Sequence, residues 1–183
     1  YYGLHTMQHR GQEGCGMVCV DSEGNMKRHR GLGLVSEVFN EQKIAALDGK
    51  MGIGHVLYTG AASRGVDNVQ PLYFHHGTGD FALAHNGNVV NAEILTRALE
   101  NRGSLFHSHS DAELLAHLIK KEADEPRIFT IMEALDLLEG SFAFVIMTQN
   151  RSFCKGFDTS VQKVTQRSHV SPGMGGSTYA DHH

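Results

Sequence analysis

The order of periodic segments predicts an α+β fold. Antiparallel hairpins come first, amphipathic helices follow, and an apolar strand comes after them. Short turn clusters join the early strands, which argues against a doubly wound parallel sheet. No Gly-rich phosphate loop follows any strand, neither a P-loop nor a G-x-G-x-x-G.

The elements run as follows. Residues 14–20 (Gly-Cys-Gly-Met-Val-Cys-Val) form a strand-like apolar run. Asp21-Ser22-Glu23-Gly24-Asn25 is a turn, and residues 26–30 return as its hairpin partner. Ser36 is placed to cap a helix carrying Val38, Phe39, Ile44 and Leu47, closed by Gly49. Residues 51–58 make another strand, and residues 72–76 and 81–85 flank a second hairpin turn, Gly77-Thr78-Gly79-Asp80. Asn91 caps a helix with Ile94, Leu95, Ala98 and Leu99 on one face, ended near Gly103. Ser110-Asp111-Ala112-Glu113 has capping-box form ahead of Leu114, Leu115, Leu118 and Ile119. Thr130-Ile131-Met132-Glu133 repeats the device ahead of Leu135 and Leu138, with Gly140 as the stop. Residues 141–148 are a continuous apolar strand. From Arg151 the periodicity fails, and Pro172-Gly173-Met174-Gly175-Gly176-Ser177 sits in a stretch without apolar period. Two regions are therefore expected: a domain over 1–150 and an irregular tail over 151–183.

Composition narrows the function classes. The chain has 183 residues, enough for one domain with a buried core, and 40% are apolar against 20% charged. A net charge of -4 gives no basic surplus for nucleic acid or an anionic membrane. No apolar run reaches membrane-spanning length and no secretory segment is present. Cys15, Cys19 and Cys154 are too few and too scattered for a disulfide framework, so a reducing, cytoplasmic setting is expected. The chain starts at Tyr1 rather than Met, which suggests a start inside a longer product or after processing.

Several residues could carry chemistry. In Phe81-Ala82-Leu83-Ala84-His85-Asn86-Gly87-Asn88 an apolar strand meets Asn-Gly. That pair makes an ordinary turn, or it places an Asn side-chain N–H and a Gly backbone N–H around one point, as acyl transfer requires for a developing oxyanion. Gln8-His9-Arg10-Gly11-Gln12 reads as a polar helix end or as an Arg-bearing wall beside a carboxylate. Asp111, in a first helical turn, either complements the helix dipole or holds an ammonium group. His75-His76 and His107-Ser108-His109 lack a ligand set of three or four at a recognised spacing, so no metal site is assigned. Neither Cys15 nor Cys19 has a basic neighbour in sequence, and both read as buried small hydrophobes.

Taken in order, Tyr2-Gly3-Leu4, Gln8 through Gly14, Gly31 through Phe39, Gly52-Ile53-Gly54-His55-Val56, Gln70-Pro71, Ala84-His85-Asn86-Gly87-Asn88 and Ser110-Asp111-Ala112-Glu113 resemble one family. It is the class II glutamine amidotransferase domain of the glutamine phosphoribosylpyrophosphate amidotransferases. Gln8-His9-Arg10-Gly11-Gln12 points to this purine branch, since the sugar-phosphate aminotransferase relatives carry a Tyr-Arg-Gly-Tyr-Asp pattern. The resemblance covers residues 1–148. It implies an N-terminal-nucleophile hydrolase sandwich, two antiparallel sheets between helical layers, here incomplete. It further implies a mature first Cys whose thiolate attacks the glutamine amide with its own amine as base. Asn86 and Gly87 would form the oxyanion hole, Asp111 would bind the α-ammonium, and Arg10 and Gly11 would line the nucleophile. Ammonia would then reach a phosphoribosyltransferase domain and displace pyrophosphate, giving phosphoribosylamine in the first step of purine synthesis.

Three departures from the family pattern stand out. The leading Cys-Gly segment lies ahead of the residues that match Tyr1, so the nucleophile is expected to be absent and this chain inactive alone. Leu57 occupies the position of an Arg that grips the glutamine carboxylate. From Cys154 the family's later strands find no match, and the phosphoribosyltransferase domain is missing. The expected cofactor set is none in this chain, with Mg in the missing domain. Expected partners are glutamine, that domain, and further copies in a homo-oligomeric parent. Alternatives are the glutaminase domain of another class II amidotransferase, or a non-catalytic glutamine-binding or interaction fragment.

Overall fold

The structure, a computed structural model, describes residues 1–58, 65–77, 79–108, 110–119, 127–149, 152–158 and 165–167. Two antiparallel sheets face each other between helical layers, as the α+β reading expects. The first sheet has order β2-β1-β3, built from β1 (Gly14–Val20), β2 (Met26–Leu32) and β3 (Met51–Leu57). The second has order β4-β5-β6-β7-β8, built from β4 (Leu72–Phe74), β5 (Phe81–Val89), β6 (Gly140–Thr148), β7 (Ser152–Asp158) and β8 (Thr165–Arg167).

The period-2 alternation of strand side chains sorts the core into three layers. Along β1, Cys15 faces outward into a cluster with Leu4, Val35, Val38, Phe39 and Val56. Val18 and Val20 point the other way and meet Ala82 and Met147 between the sheets. On the second sheet Leu83, Phe142, Phe144 and Ile146 face a third cluster, which Leu114, Leu115, Ile131, Leu135 and Leu138 cover from the helices. Those helices are α4 (Ala92–Glu100), α5 (Asp111–Ile119) and α6 (Arg127–Asp136); α1 (Tyr2–Thr6), α2 (Val35–Val38) and α3 (Glu41–Ala46) belong to the first layer.

The helix starts differ from the sequence reading in instructive ways. The helix expected from Ser36 is two helices, and Leu34 precedes the first. Its N–H donates to the Glu37 carboxylate at 2.8 Å, while Asn40 caps the second by accepting the Lys43 N–H at 2.9 Å. Asn91 stands at the cap position of α4, but its side chain bridges away to Leu137 O and Glu139 N. Before α5, Ser110 Oγ accepts the Ala112 N–H, yet Glu113 does not close the capping box. Its carboxylate takes the N–H groups of His107 and Ser108, both at 2.7 Å. Thr130 is buried inside α6, which already begins at Arg127. Only at Asn91 do residues distant in sequence outcompete the local cap.

The expectation of an irregular segment from Arg151 is also corrected over residues 152–158. There β7 pairs with β6 from Ser141↔Asp158 to Met147↔Ser152, and β8 adds three residues beyond. Ser, Lys and Gly interrupt the apolar run, but β6 supplies a finished ladder that a polar strand can join through its backbone. Cys154 lies on β7. The Pro-Gly segment at 172–177 falls outside the described residues.

Candidate active site

β5 is where the fold leaves hydrogen bonding unfinished. It pairs with β6 along its whole length, but β4 covers only residues 81–83. Beyond that point side chains take over. The His85 N–H donates to Gln70 Oε1 at 2.6 Å, and the Val89 N–H donates to Asp111 Oδ2 at 3.1 Å. Strand alternation directs the Gly87 N–H to the same edge, between these two. The burial of β5 changes at this point: residues 81–85 are buried, 86–88 exposed and 89 buried again. Asn86 and Gly87 therefore sit within a strand, not at its end as the sequence suggests, because β6 continues past the Asn-Gly pair.

Only Gly fits at position 87. Its φ is +129°, and a Cβ there would lie 2.3 Å from the Ser141 carbonyl oxygen. The site needs this close approach of two backbones.

Asn86 and Gly87 open onto a cleft of about 450 Å³ that Arg10, Leu57, Tyr58 and His85 also line. Arg10 ends a short 3-10 turn, Gln8–Arg10. Gln8 fastens that turn: Nε2 donates to Gly11 O and Oε1 accepts the Val35 N–H, each at 2.6 Å. Gly11 packs against β3, where a Cβ would sit 2.6 Å from the Leu57 carbonyl carbon. Leu57 is buried at the end of β3, and its carbonyl accepts the Glu13 N–H. The structure thus gathers Arg10, Leu57, Asn86 and Gly87 on one cleft, with Gly11 behind it.

Asp111 does not line this cleft. It lines a neighbouring cavity of about 430 Å³ with Thr96, Arg97, Phe106, Ser108 and Ser110. Its tie to the cleft is the bond to Val89, two residues beyond Gly87. Burial raises the Asp111 pKa, and the Val89 N–H works in the opposite direction.

One histidine of the cleft was not singled out from the sequence. His85 is 8% exposed, stacks on Phe144 with ring centroids 4.5 Å apart, and lines the cleft. Its Nε2 lies 3.9 Å from Asp111 Oδ2 and has no hydrogen-bond partner. Burial, and then the nearby His55, bring its pKa down to about 4. The signal was a lone polar residue closing the apolar run 81–85. The cysteines of β1 are inert by contrast: Cys15 is fully buried, and burial pushes its thiol up to about 11. His75 pairs with Asp80 at the surface. Among the described residues no group of three His, Cys, Asp or Glu side chains could hold a metal ion.

The model of the glutamine amidotransferase domain family matches residues 62–158. The amidophosphoribosyltransferase of Lacticaseibacillus casei is 47% identical over 151 residues, which are 82% of this chain and 77% of that protein. The chain belongs to the amidophosphoribosyltransferase family. It carries that family's glutamine amidotransferase domain, and its fold is the N-terminal-nucleophile hydrolase sandwich. The Bacillus subtilis (strain 168) amidophosphoribosyltransferase is 49% identical over 150 residues, 81% of this chain but 31% of that protein. A solved B. subtilis glutamine phosphoribosylpyrophosphate amidotransferase, complexed with ADP and GMP, aligns at TM-score 0.78 and 46% identity. The alignment spans 85% of this chain and 33% of that one. The amidotransferase domain thus spans about a third of the length of these two B. subtilis relatives. No helix among the described residues is long and apolar enough to cross a membrane.

Proposed function

We propose that this chain is the glutamine-hydrolysing part of an enzyme that makes 5-phosphoribosylamine from glutamine and phosphoribosylpyrophosphate. The observation that carries the reading is the placement of Asn86 and Gly87 side by side on the cleft, on a strand that β4 covers only as far as residue 83. The N–H groups of His85 and Val89 on either side are already bonded by Gln70 and Asp111. A carbonyl oxygen that turns anionic there meets two fixed donors on a rigid strand. A thiolate supplied ahead of Tyr1 attacks the amide carbon, and its own α-amine takes the thiol proton and passes it to departing ammonia. Water then releases glutamate from the thioester. Arg10 and Gly11 wall the nucleophile, and Asp111 anchors the substrate ammonium. Ammonia passes to a phosphoribosyltransferase domain that works with magnesium, in a homo-oligomeric cytoplasmic enzyme.

A polypeptide that begins at Tyr1 brings no thiol or aliphatic hydroxyl among the described residues lining this cleft. We therefore expect it to release no ammonia. Joining a segment that begins with Cys ahead of Tyr1 should restore glutaminase activity. Asn86→Ala in that chain should then lower kcat by roughly 10²–10³-fold with little change in KM. Glutamine binding with no ammonia release from the restored chain would favour a non-catalytic binding module.

Leu57 sets the substrate affinity in this reading. A planar carboxylate facing Leu keeps no charge-assisted bond, whereas Arg offers two parallel N–H donors. In the restored chain Leu57→Arg should lower KM for glutamine roughly 10-fold or more, with kcat unchanged, because the carboxylate is remote from the reacting amide. Unchanged kinetics would show that another residue already holds it.

A further inference from the structure

The imidazole of His85 is an expensive choice for its place. A Phe there would stack on Phe144 equally well and leave no polar atom unpaired, yet the fold buries a ring nitrogen without a partner. That nitrogen, Nε2, points at Asp111 Oδ2 from 3.9 Å. This is roughly 1 Å longer than an N–H···O bond. The His85 backbone N–H is meanwhile fixed by Gln70, one residue before Asn86.

We propose that His85 is a positioning residue that holds the Asp111 carboxylate ionised and aimed. It thereby links the ammonium anchor on α5 to the oxyanion strand. The inference rests on the reading of Asp111 given above. With its proton on Nε2, a neutral imidazole presents a donor to the carboxylate and offsets the burial that favours the protonated acid. The neighbouring groups leave this role to His85. Burial, and then His55 on β3, keep His85 neutral. From α4, Glu93, Arg97 and Glu100 line the cavity of Asp111, and Arg97 is paired to Glu93. The Val89 N–H is the other donor to Asp111.

The test uses the chain as it stands, with its aspartate carboxyls labelled with carbon-13 and followed by NMR across pH. His85→Phe and His85→Asn should raise the Asp111 midpoint by about one pH unit. His85→Gln, whose amide nitrogen reaches the place of Nε2, should restore it. Equal Asp111 midpoints in wild type, His85→Asn and His85→Gln would overturn the proposal, and this pair serves if the Phe variant fails to fold. A second arm measures binding of glutamine and of 4-carbamoylbutanoate, which lacks the α-ammonium. His85→Asn should weaken glutamine about tenfold and leave the deamino ligand unchanged. Equal loss for both ligands would overturn the proposal, since His85 would then act on the strand alone. A wild-type chain that binds neither ligand but shows the Asp111 shift would remove the glutaminase reading and leave the coupling intact.

Discussion

β1 and β5 are both interior strands with alternating faces, yet of the two only β5 lines the cleft. β1 is paired on both edges over all seven residues, so its backbone groups are used up. Its two thiols are packed away, Cys15 into the outer cluster with Cys19 against it. β5 loses its β4 partner after residue 83. Gln70 and Asp111 then replace that partner and leave the Gly87 N–H between them. The difference teaches that an interior strand keeps backbone groups available for a ligand only where its neighbour strand stops short, and that a thiol packed into a core contributes none of its chemistry.

The comparison can be broken most sharply at the glycines. Gly87→Ala combines a disfavoured φ with overlap of the Ser141 carbonyl, and should destabilise the chain by roughly 4 kcal/mol. Gly24→Ala, in the β1–β2 turn at φ +89° with nothing within 4 Å, should cost only about 1 kcal/mol. Urea unfolding of both variants checks this, and equal losses would remove the special status of β5.

The next effect is a pH dependence centred on β5. His85 has a folded pKa of about 4 against an ordinary 6.5, so it is buried neutral and the unfolded chain binds its proton more tightly. Its contribution is fully present above pH 6.5 and lost as pH falls towards 4, a difference of about 3 kcal/mol. Asp111, whose pKa is raised, binds its proton more tightly in the folded chain and offsets part of this loss at the low end. Urea midpoints at pH 7 and pH 4.5 should show the fall, and His85→Gln should flatten it. A wild-type slope that survives His85→Gln would place the titrating group elsewhere.

Smaller again is Gln70. Gln70→Ala leaves the buried His85 N–H without an acceptor, for a loss of about 1–3 kcal/mol. Gln70→Glu keeps an acceptor oxygen and should recover most of it in the same urea assay. The smallest effect belongs to β1: Cys15 should resist iodoacetamide at pH 8 in the folded chain and react in urea, as read by peptide mapping. Alkylation of folded Cys15 would mean that the strand opens.

Much of this architecture was legible in the sequence, because alternation and turn chemistry are local properties. β1, the Asp21–Asn25 turn, β3 and β6 stand where their apolar patterns put them. The caps were less legible. Asn91 and Glu113 have the right types at the right spacing, but Asn91 is claimed by Leu137 and Glu139, which only the tertiary fold brings near, and Glu113 by the loop just ahead of its own helix. The candidate site divides along the same line. Asn86 and Gly87 could be picked out as a donor pair. That they lie within a strand, and that Asp111 reaches them through Val89 from an adjoining cavity, depends on β6 and α5 packing across β5. His85 escaped notice because a single histidine after four apolar residues carries no spacing pattern at all.

The Arg30 side chain has consequences well away from β2. From that edge strand it donates to Asp67 O at 3.2 Å and to Val69 O at 3.0 Å, gripping the chain just before Gln70. Gly16, beside it on β1, leaves room for the Gln70 carbonyl, which a Cβ would meet at 2.5 Å. The acceptor that finishes β5 is thus gauged from the opposite sheet, as a jig holds a part while another machine cuts it. Tolerance to substitution should follow that jig: a screen for altered glutamine handling should score hits at Arg30 and Gly16 while passing over exposed surface positions such as Tyr2.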